Sequence, residues 1–126
     1  MDEIRALEMK LNEDINQHLS EKEQLARCLC ILSTSKISAW RNNTGVAKFD
    51  DTRVVRFGTK GQSDILGFVK HGKHRGKFFA FEVKAKKNKP TYHQYNFLEN
   101  VDDGGCIVGW GTSNQLVNLL EDKDLL

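Results

Sequence analysis

A chain of 126 residues, 39% hydrophobic and 29% charged, has room for one domain with a real core and none for a second. No apolar stretch nears the roughly 20 residues that a membrane-spanning helix needs, and the charged start MDEIRALEMK lacks the apolar centre of a signal peptide. The net charge of +2 is unevenly spread, because residues 25–98 carry fifteen of the nineteen Lys and Arg but four of the seventeen Asp and Glu. A basic middle suits a polyanionic partner, although a solvated Lys-rich face has the same composition. Cys28, Cys30 and Cys106 are odd in number and match no zinc spacing, so they read as free thiols in a reducing cytosol.

Ile4, Leu7, Leu11 and Ile15 recur at helical spacing and predict a first helix within residues 1–19, able to cover the core or to pair with a second copy of the chain. Ser20 is placed as the N-cap of a second helix, with Glu23 completing a capping box. That helix should bury Leu25, Cys28, Leu29 and Leu32, with Glu21 one turn before Leu25 on the same stripe. Residues 37–41 read as a strand running into a turn at Asn42-Asn43-Thr44-Gly45. Arg41, Asn42 and Asn43 carry donors suited to phosphate oxygens, while Trp40 fits the core better than a base-stacking role. Residues 46–52 read as a polar loop, 53–57 as an alternating strand, and Gly58, Lys60 and Gly61 as a turn leading to Asp64.

Residues 63–70 and 77–85 are apolar runs joined by the polar, glycine-bearing HGKHRG, which predicts a hairpin. Alternation puts Glu82 and Lys84 on one side of the second strand and Phe79, Phe81 and Val83 on the other. A reversal near residue 74 sets Asp64 roughly opposite Val83 and Lys84, close to Glu82. Two carboxylates on so apolar a sheet raise each other's proton affinity and are costly to bury. A hard divalent cation, Mg²⁺ or Mn²⁺, removes that cost; neutralisation by Lys84 in a purely structural cluster is the plainer alternative. His71 and His74 lie in the hairpin loop without an acid or Cys nearby and read as exposed. Lys70, Lys73, Arg75 and Lys77 around them could grip a duplex backbone.

After the second strand come Lys86, Lys87 and Lys89, then Pro90 and Thr91, the predicted cap of a further helix. Gln94, Phe97, Leu98 and Val101 share one face of that helix, and a Gln there needs a hydrogen-bond partner, which the carboxylate site would supply. Gly104-Gly105 ends the helix. Residues 106–110 read as a buried strand, and Thr112 or Ser113 caps a last helix through Leu120 with a fraying acidic tail.

The blocks Trp40-Arg41-Asn42-Asn43-Thr44-Gly45, Phe57 to Gly67 with Asp64, Glu82-Val83-Lys84 and Gln94 stand in this order. Together they resemble the virus-type replication-repair nuclease (VRR-NUC) domain of the PD-(D/E)XK superfamily, in its short stand-alone form, over about residues 20–116. Ser63 departs from the pattern by standing where the superfamily name has Pro. The resemblance implies an α/β fold with a restriction-endonuclease-like αβββαβ core, here with an added helix at each end, in a single domain spanning 1–126. It implies Asp64, Glu82 and the Val83 carbonyl as Mg or Mn ligands, Lys84 and Gln94 as further catalytic residues, and Glu21 (Glu23 as second choice) reaching in from the first helix. The substrate expected is DNA, branched or four-way-junction, cut by a homodimer in the cytosol of a bacterium or phage-infected host. Lys60, Lys73, Arg75, Lys86 and Lys87, with Arg41, Asn42 and Asn43, are the candidate nucleic-acid contacts. Restriction-like cutting of linear duplex or RNA, and a non-catalytic basic nucleic-acid-binding module, are the competing readings.

Overall fold

A computed structural model describes residues 2–4, 6, 7, 18–43, 45–48, 53–57 and 60–126, with the backbone alone for 45–48 and 54–57. The elements run α1 (Glu21–Ser33), β1 (Ile37–Arg41), β2 (Gly45–Lys48), β3 (Val54–Phe57), β4 (Ile65–Val69), β5 (Phe78–Val83), α2 (Tyr92–Asp103), β6 (Ile107–Gly111) and α3 (Ser113–Asp122). Residues 2–4, 6 and 7 are helical with Ile4 and Leu7 exposed, while most of the expected first helix lies outside the described residues.

β1, β4, β5 and β6 form one mixed sheet in that order, antiparallel except for the parallel β5–β6 pair. The β5–α2–β6 crossover brings β6 beside β5, as the helix between them predicts, but as an edge strand that is buried at Ile107 and Gly111 and half-buried between them, where a buried strand was expected. β2 was expected as loop; it instead pairs with β3 in a separate two-stranded ribbon, and residues 49–52 lie outside the described residues.

The sheet is covered on both faces. Cys28 and Leu32 of α1 and Leu116 and Leu120 of α3 pack with Ile65, Phe79, Phe81, Val83 and Ile107 into one buried cluster. Burial pushes the Cys28 thiol up to about 12, with Arg27 partly opposing and Asp64 adding a little, so this cysteine is a packing residue. α2 packs on β5 and β6 and supplies the buried Leu98. Alternation then assigns Ala80, Glu82 and Trp110 to the α2 face, and Tyr95 of α2 meets Trp110 edge to face at 6.1 Å. β5 is therefore not half-solvated: every residue from Phe79 to Lys84 is buried. Burying Phe79 and Phe81 contributes roughly 1.5–3 kcal/mol each.

The caps follow the sequence. Ser20 accepts from the Glu23 amide at 3.2 Å and its hydroxyl donates to Glu23 Oε1 at 3.1 Å. Thr91 and Thr112 close capping boxes with Gln94 and Gln115. The C-terminal tail does not fray. Leu125 is buried, its carbonyl accepts from the Lys36 amide at 2.8 Å, and Lys36 Nζ donates to the Asp124 carbonyl at 3.0 Å. One apolar residue three places beyond the last helical acid, Asp122, is enough to anchor the end.

Candidate active site

The β4–β5 register pairs Ile65 with Phe81 and Leu66 with Ala80, which sets Asp64, just before β4, across from Glu82. The hairpin therefore turns one residue tighter than the loop length indicated, and Asp64 faces Glu82 instead of the Val83–Lys84 bond. Both carboxyls stay on the α2 face, because a two-strand register with side chains directly opposed keeps them together. Asp64 Oδ2 accepts from the Val83 amide at 2.9 Å, which fixes the carboxylate against the end of β5. Lys84 lies on the same side as Glu82, with Nζ 3.6 Å from Glu82 Oε1, and its own amide donates to the Gly111 carbonyl at 2.8 Å.

Glu82 is 1% exposed, and its Oε2 is buried with no hydrogen-bond partner. Burial, then the charge and hydrogen bond of the adjacent Asp64, raise its carboxyl to about 8, with Lys84 opposing the rise only in part. Ser63, also 1% exposed, has a second orphaned oxygen at the same corner. A buried oxygen lacking a donor, a carboxyl that is charged only at a cost, and a second carboxylate beside it form an oxygen donor set that suits a hard divalent cation. The residues present fit one.

The loop delivering Asp64 is pinned from two sides. The Asn42 amide donates to the Asp64 carbonyl at 2.7 Å, while its side-chain Nδ2 donates to Gln62 Oε1 at 2.9 Å and to the Ser63 carbonyl at 3.3 Å. Gly61 sits at φ 85° against the His93 backbone at the start of α2, an approach that a Cβ would block. Asn42 was expected on phosphate; its donors are spent inside the protein, positioning Asp64.

Other expected residues are not gathered here. Glu21 is exposed in the first turn of α1, Glu23 is held by Ser20, and no cluster of three His, Cys, Asp or Glu suited to a metal occurs among the described residues. The stripe of α1 buries Gln24, Cys28 and Leu32, which leaves Glu21 at its outer end. Gln94 Oε1 accepts from the Thr91 amide at 2.8 Å, so its carbonyl serves the helix cap instead of the site. The local bond wins because only three residues separate its partners.

Lys73 and Arg75 are exposed in the β4–β5 turn, at the opposite end of the hairpin from Asp64 and Glu82. Five residues of strand put them about 17 Å or more from the carboxyl pair. His71 is exposed and His74 half-buried in the same turn, the latter's pKa lowered by desolvation and then by Lys77 and Lys73. Arg41, Asn43, Lys60, Lys86 and Lys87 are exposed around the near end of the sheet. Trp40, expected in the core, is 47% exposed on β1, where it pairs with Leu66 on the face that carries Asp64. Thr44, Gly58 and Thr59 of the sequence blocks lie outside the described residues.

Sequence reasoning did not single out Gln24 or Trp110. Gln24 Oε1 accepts from the Ser113 amide at 2.9 Å and ties α1 to the start of α3. Trp110 is the register partner of Glu82 in the parallel β5–β6 pair. No local pattern announces either, since both depend on which elements become neighbours. No family model, curated protein or solved structure matches the chain.

Proposed function

We propose that the protein is a metal-dependent nuclease that hydrolyses phosphodiester bonds in DNA, similar to the stand-alone VRR-NUC domains. The observation that carries this reading is the buried, partnerless Oε2 of Glu82, set beside Asp64 and 3.6 Å from the Lys84 ammonium on its other oxygen. The strand order supports a restriction-endonuclease-like αβββαβ core: β1, β4 and β5 form the antiparallel meander, α2 and β6 complete it, and the β2–β3 ribbon is an insertion.

In this reading Asp64, Glu82 and the Val83 carbonyl hold one or more Mg²⁺ or Mn²⁺ ions. When bound, such a cation polarises the scissile phosphate and makes a nearby water more acidic. The Val83 amide keeps the Asp64 carboxylate aimed at the site, and the α2 face excludes bulk water from Glu82. Lys84 brings a fixed positive charge to where negative charge grows on the phosphoryl group, or orients the attacking water. Water adds to phosphorus, the P–O bond to the leaving strand breaks, and the departing oxygen takes up a proton. Exposed Lys60, Lys86, Lys87, Arg41 and Asn43 around this end would meet the backbone on either side. Branched or four-way-junction DNA is the proposed substrate, cut by a symmetric pair of chains, since two matched cuts need two sites.

A purely structural role for the acidic pair is the competing reading, favoured by the Lys84–Glu82 ion pair alone. Purified protein with labelled four-way junction, flap, linear duplex and single strand, with and without Mn²⁺, tests both. Asp64→Ala and Lys84→Ala should each reduce cleavage by about a hundredfold or more while still shifting DNA. Wild-type rates from both variants would remove the catalytic assignment, and equal digestion of all four substrates would remove the preference for branches.

A further inference from the structure

A cleft of about 320 Å³ opens between the loop that follows β5 and the start of α3, with Lys86, Lys87, Lys89, Trp110, Gly111 and Asn114 among its walls. It stands one strand away from the carboxyl pair, because Trp110 is the partner of Glu82 across the parallel β5–β6 ladder. Neighbouring strands lie about 4.8 Å apart, so whatever occupies the cleft is adjacent to whatever meets Asp64 and Glu82.

The chemistry of the walls narrows the occupant. No acidic residue lines the cleft, whereas three lysines do. The Thr112 and Ser113 amides at the start of α3 are already engaged: the Thr112 amide donates to Gln115 Oε1 at 2.8 Å and the Ser113 amide to Gln24 Oε1. The positive charge on the walls is that of the three lysines. The Ala85–Asn88 turn, closed by the Asn88 amide on the Ala85 carbonyl at 3.1 Å, sets Lys86 and Lys87 at the cleft. Lys87 adopts φ 75° in that turn, a left-handed conformation unusual for a lysine and of the kind that gathers at ligand clamps. Trp110 contributes a flat apolar surface whose ring Tyr95 holds edge-on. A flat aromatic group carrying a negative charge matches both features, and the volume is at the small end of the roughly 300–1,000 Å³ that ligand pockets span. It admits one nucleotide and no duplex.

We infer that this cleft takes an unpaired nucleotide of the strand being cut, its base against Trp110 and its phosphate on Lys87 and Lys89. The inference rests on the nuclease reading for its ligand class and sharpens it: the substrate must offer an unpaired base beside the scissile bond, as a flap does, as a four-way junction does only where pairs at its branch point open, and as an intact duplex does not.

The chain has two tryptophans, Trp40 and Trp110, so single substitutions make each a separate fluorescent reporter. In metal-free buffer, Trp40→Phe protein is titrated with a short oligothymidylate, with dTMP and with blunt duplex; Trp110→Phe protein is titrated in parallel. The oligothymidylate should quench the Trp40→Phe protein and leave the Trp110→Phe signal unchanged, with dTMP and duplex binding at least tenfold more weakly. Lys87→Ala/Lys89→Ala, on the surface and harmless to folding, should weaken strand binding about tenfold or more and flatten its salt dependence. Quenching confined to Trp40, indifference to the two lysines, or dTMP binding as tight as the strand would each overturn the assignment. Protein that cleaves DNA in Mn²⁺ without Trp110 quenching loses this inference and keeps the nuclease reading; quenching without cleavage does the reverse.

Discussion

Replacing Glu82 by Gln gives the most direct measure of what the site is built to hold. In the unfolded chain the Glu82 carboxyl titrates near 4.5, whereas in the folded protein burial and then Asp64 push it up to about 8. Below pH 4.5 both states carry the proton and the site has no electrostatic cost. Between the two values the unfolded chain has released the proton and the folded one retains it, so stability falls as pH rises. Each pH unit is worth about 1.4 kcal/mol, and the interval sets a ceiling of about 5 kcal/mol, fully expressed above the folded value. Gln keeps the side-chain shape and removes the charge. Urea denaturation in chelator should therefore find Glu82→Gln and wild type about equally stable near pH 4.5, with the variant ahead by several kcal/mol at pH 8.5.

In the nuclease reading, a divalent cation would take the place of that proton. Adding Mn²⁺ or Mg²⁺ should raise wild-type stability more at pH 8 than at pH 5, by about 2.7 kcal/mol at a hundred times the dissociation constant. The variant, short of one anionic ligand, should gain much less. A difference between wild type and Glu82→Gln that stays flat from pH 5 to 8 would refute the electrostatic reasoning. Equal stabilisation of both by metal would refute the cation site while leaving the buried carboxyl in place.

Four further outcomes follow from the hydrogen bonds, distances and charges. Gln24→Ala strands the buried Ser113 amide and should cost about 1–3 kcal/mol in urea melts, with cleavage per folded molecule unchanged. Gly61→Ala sets a Cβ against the His93 backbone at φ 85°; it should cost about 1–3 kcal/mol and reduce cleavage disproportionately, because the same loop carries Asp64. Lys73→Ala/Arg75→Ala acts at the far end of the hairpin and should leave junction cleavage unaltered, whereas Lys87→Ala should lower the salt slope of DNA binding by about one.

What the sequence made legible was local. The alternation of Phe79, Phe81 and Val83 against Glu82, the Ser20, Thr91 and Thr112 caps, and the glycine stop after α2 depend on residues within a turn or a strand of one another. What escaped it depended on choices among partners. Gln94 had two places to go, and the Thr91-x-x-Gln94 spacing that forms a capping box was present in the chain all along. Residues 45–48 form a strand because 54–57 return beside them, although nothing in GVAK is strongly strand-forming. Glu21 lies on the same stripe as the buried Gln24 and Cys28, yet it stands at the first position of the helix, beyond the end of the core, and is exposed. Leu125 shows the same limit from the other side, since the tail is held by Lys36, nearly ninety residues away in sequence.

The loop length did not settle the hairpin register; packing of the two strands does. Asp64 and Glu82 face each other because a two-residue alternation puts both on the α2 face, and a slip of one would have sent one of them into the Phe79–Phe81 cluster. That alternative buries a lone carboxylate among apolar side chains, at a cost larger than most single interactions can offset. The apolar residues of β4 and β5 therefore select the register, and the register brings the acids together. Lys84 and the Val83 amide then follow from adjacency on the same strand. A residue reaching the site from another element, such as Trp110 from β6, has no comparable constraint in its own neighbourhood; it arrives only because the crossover through α2 sets β6 parallel to β5.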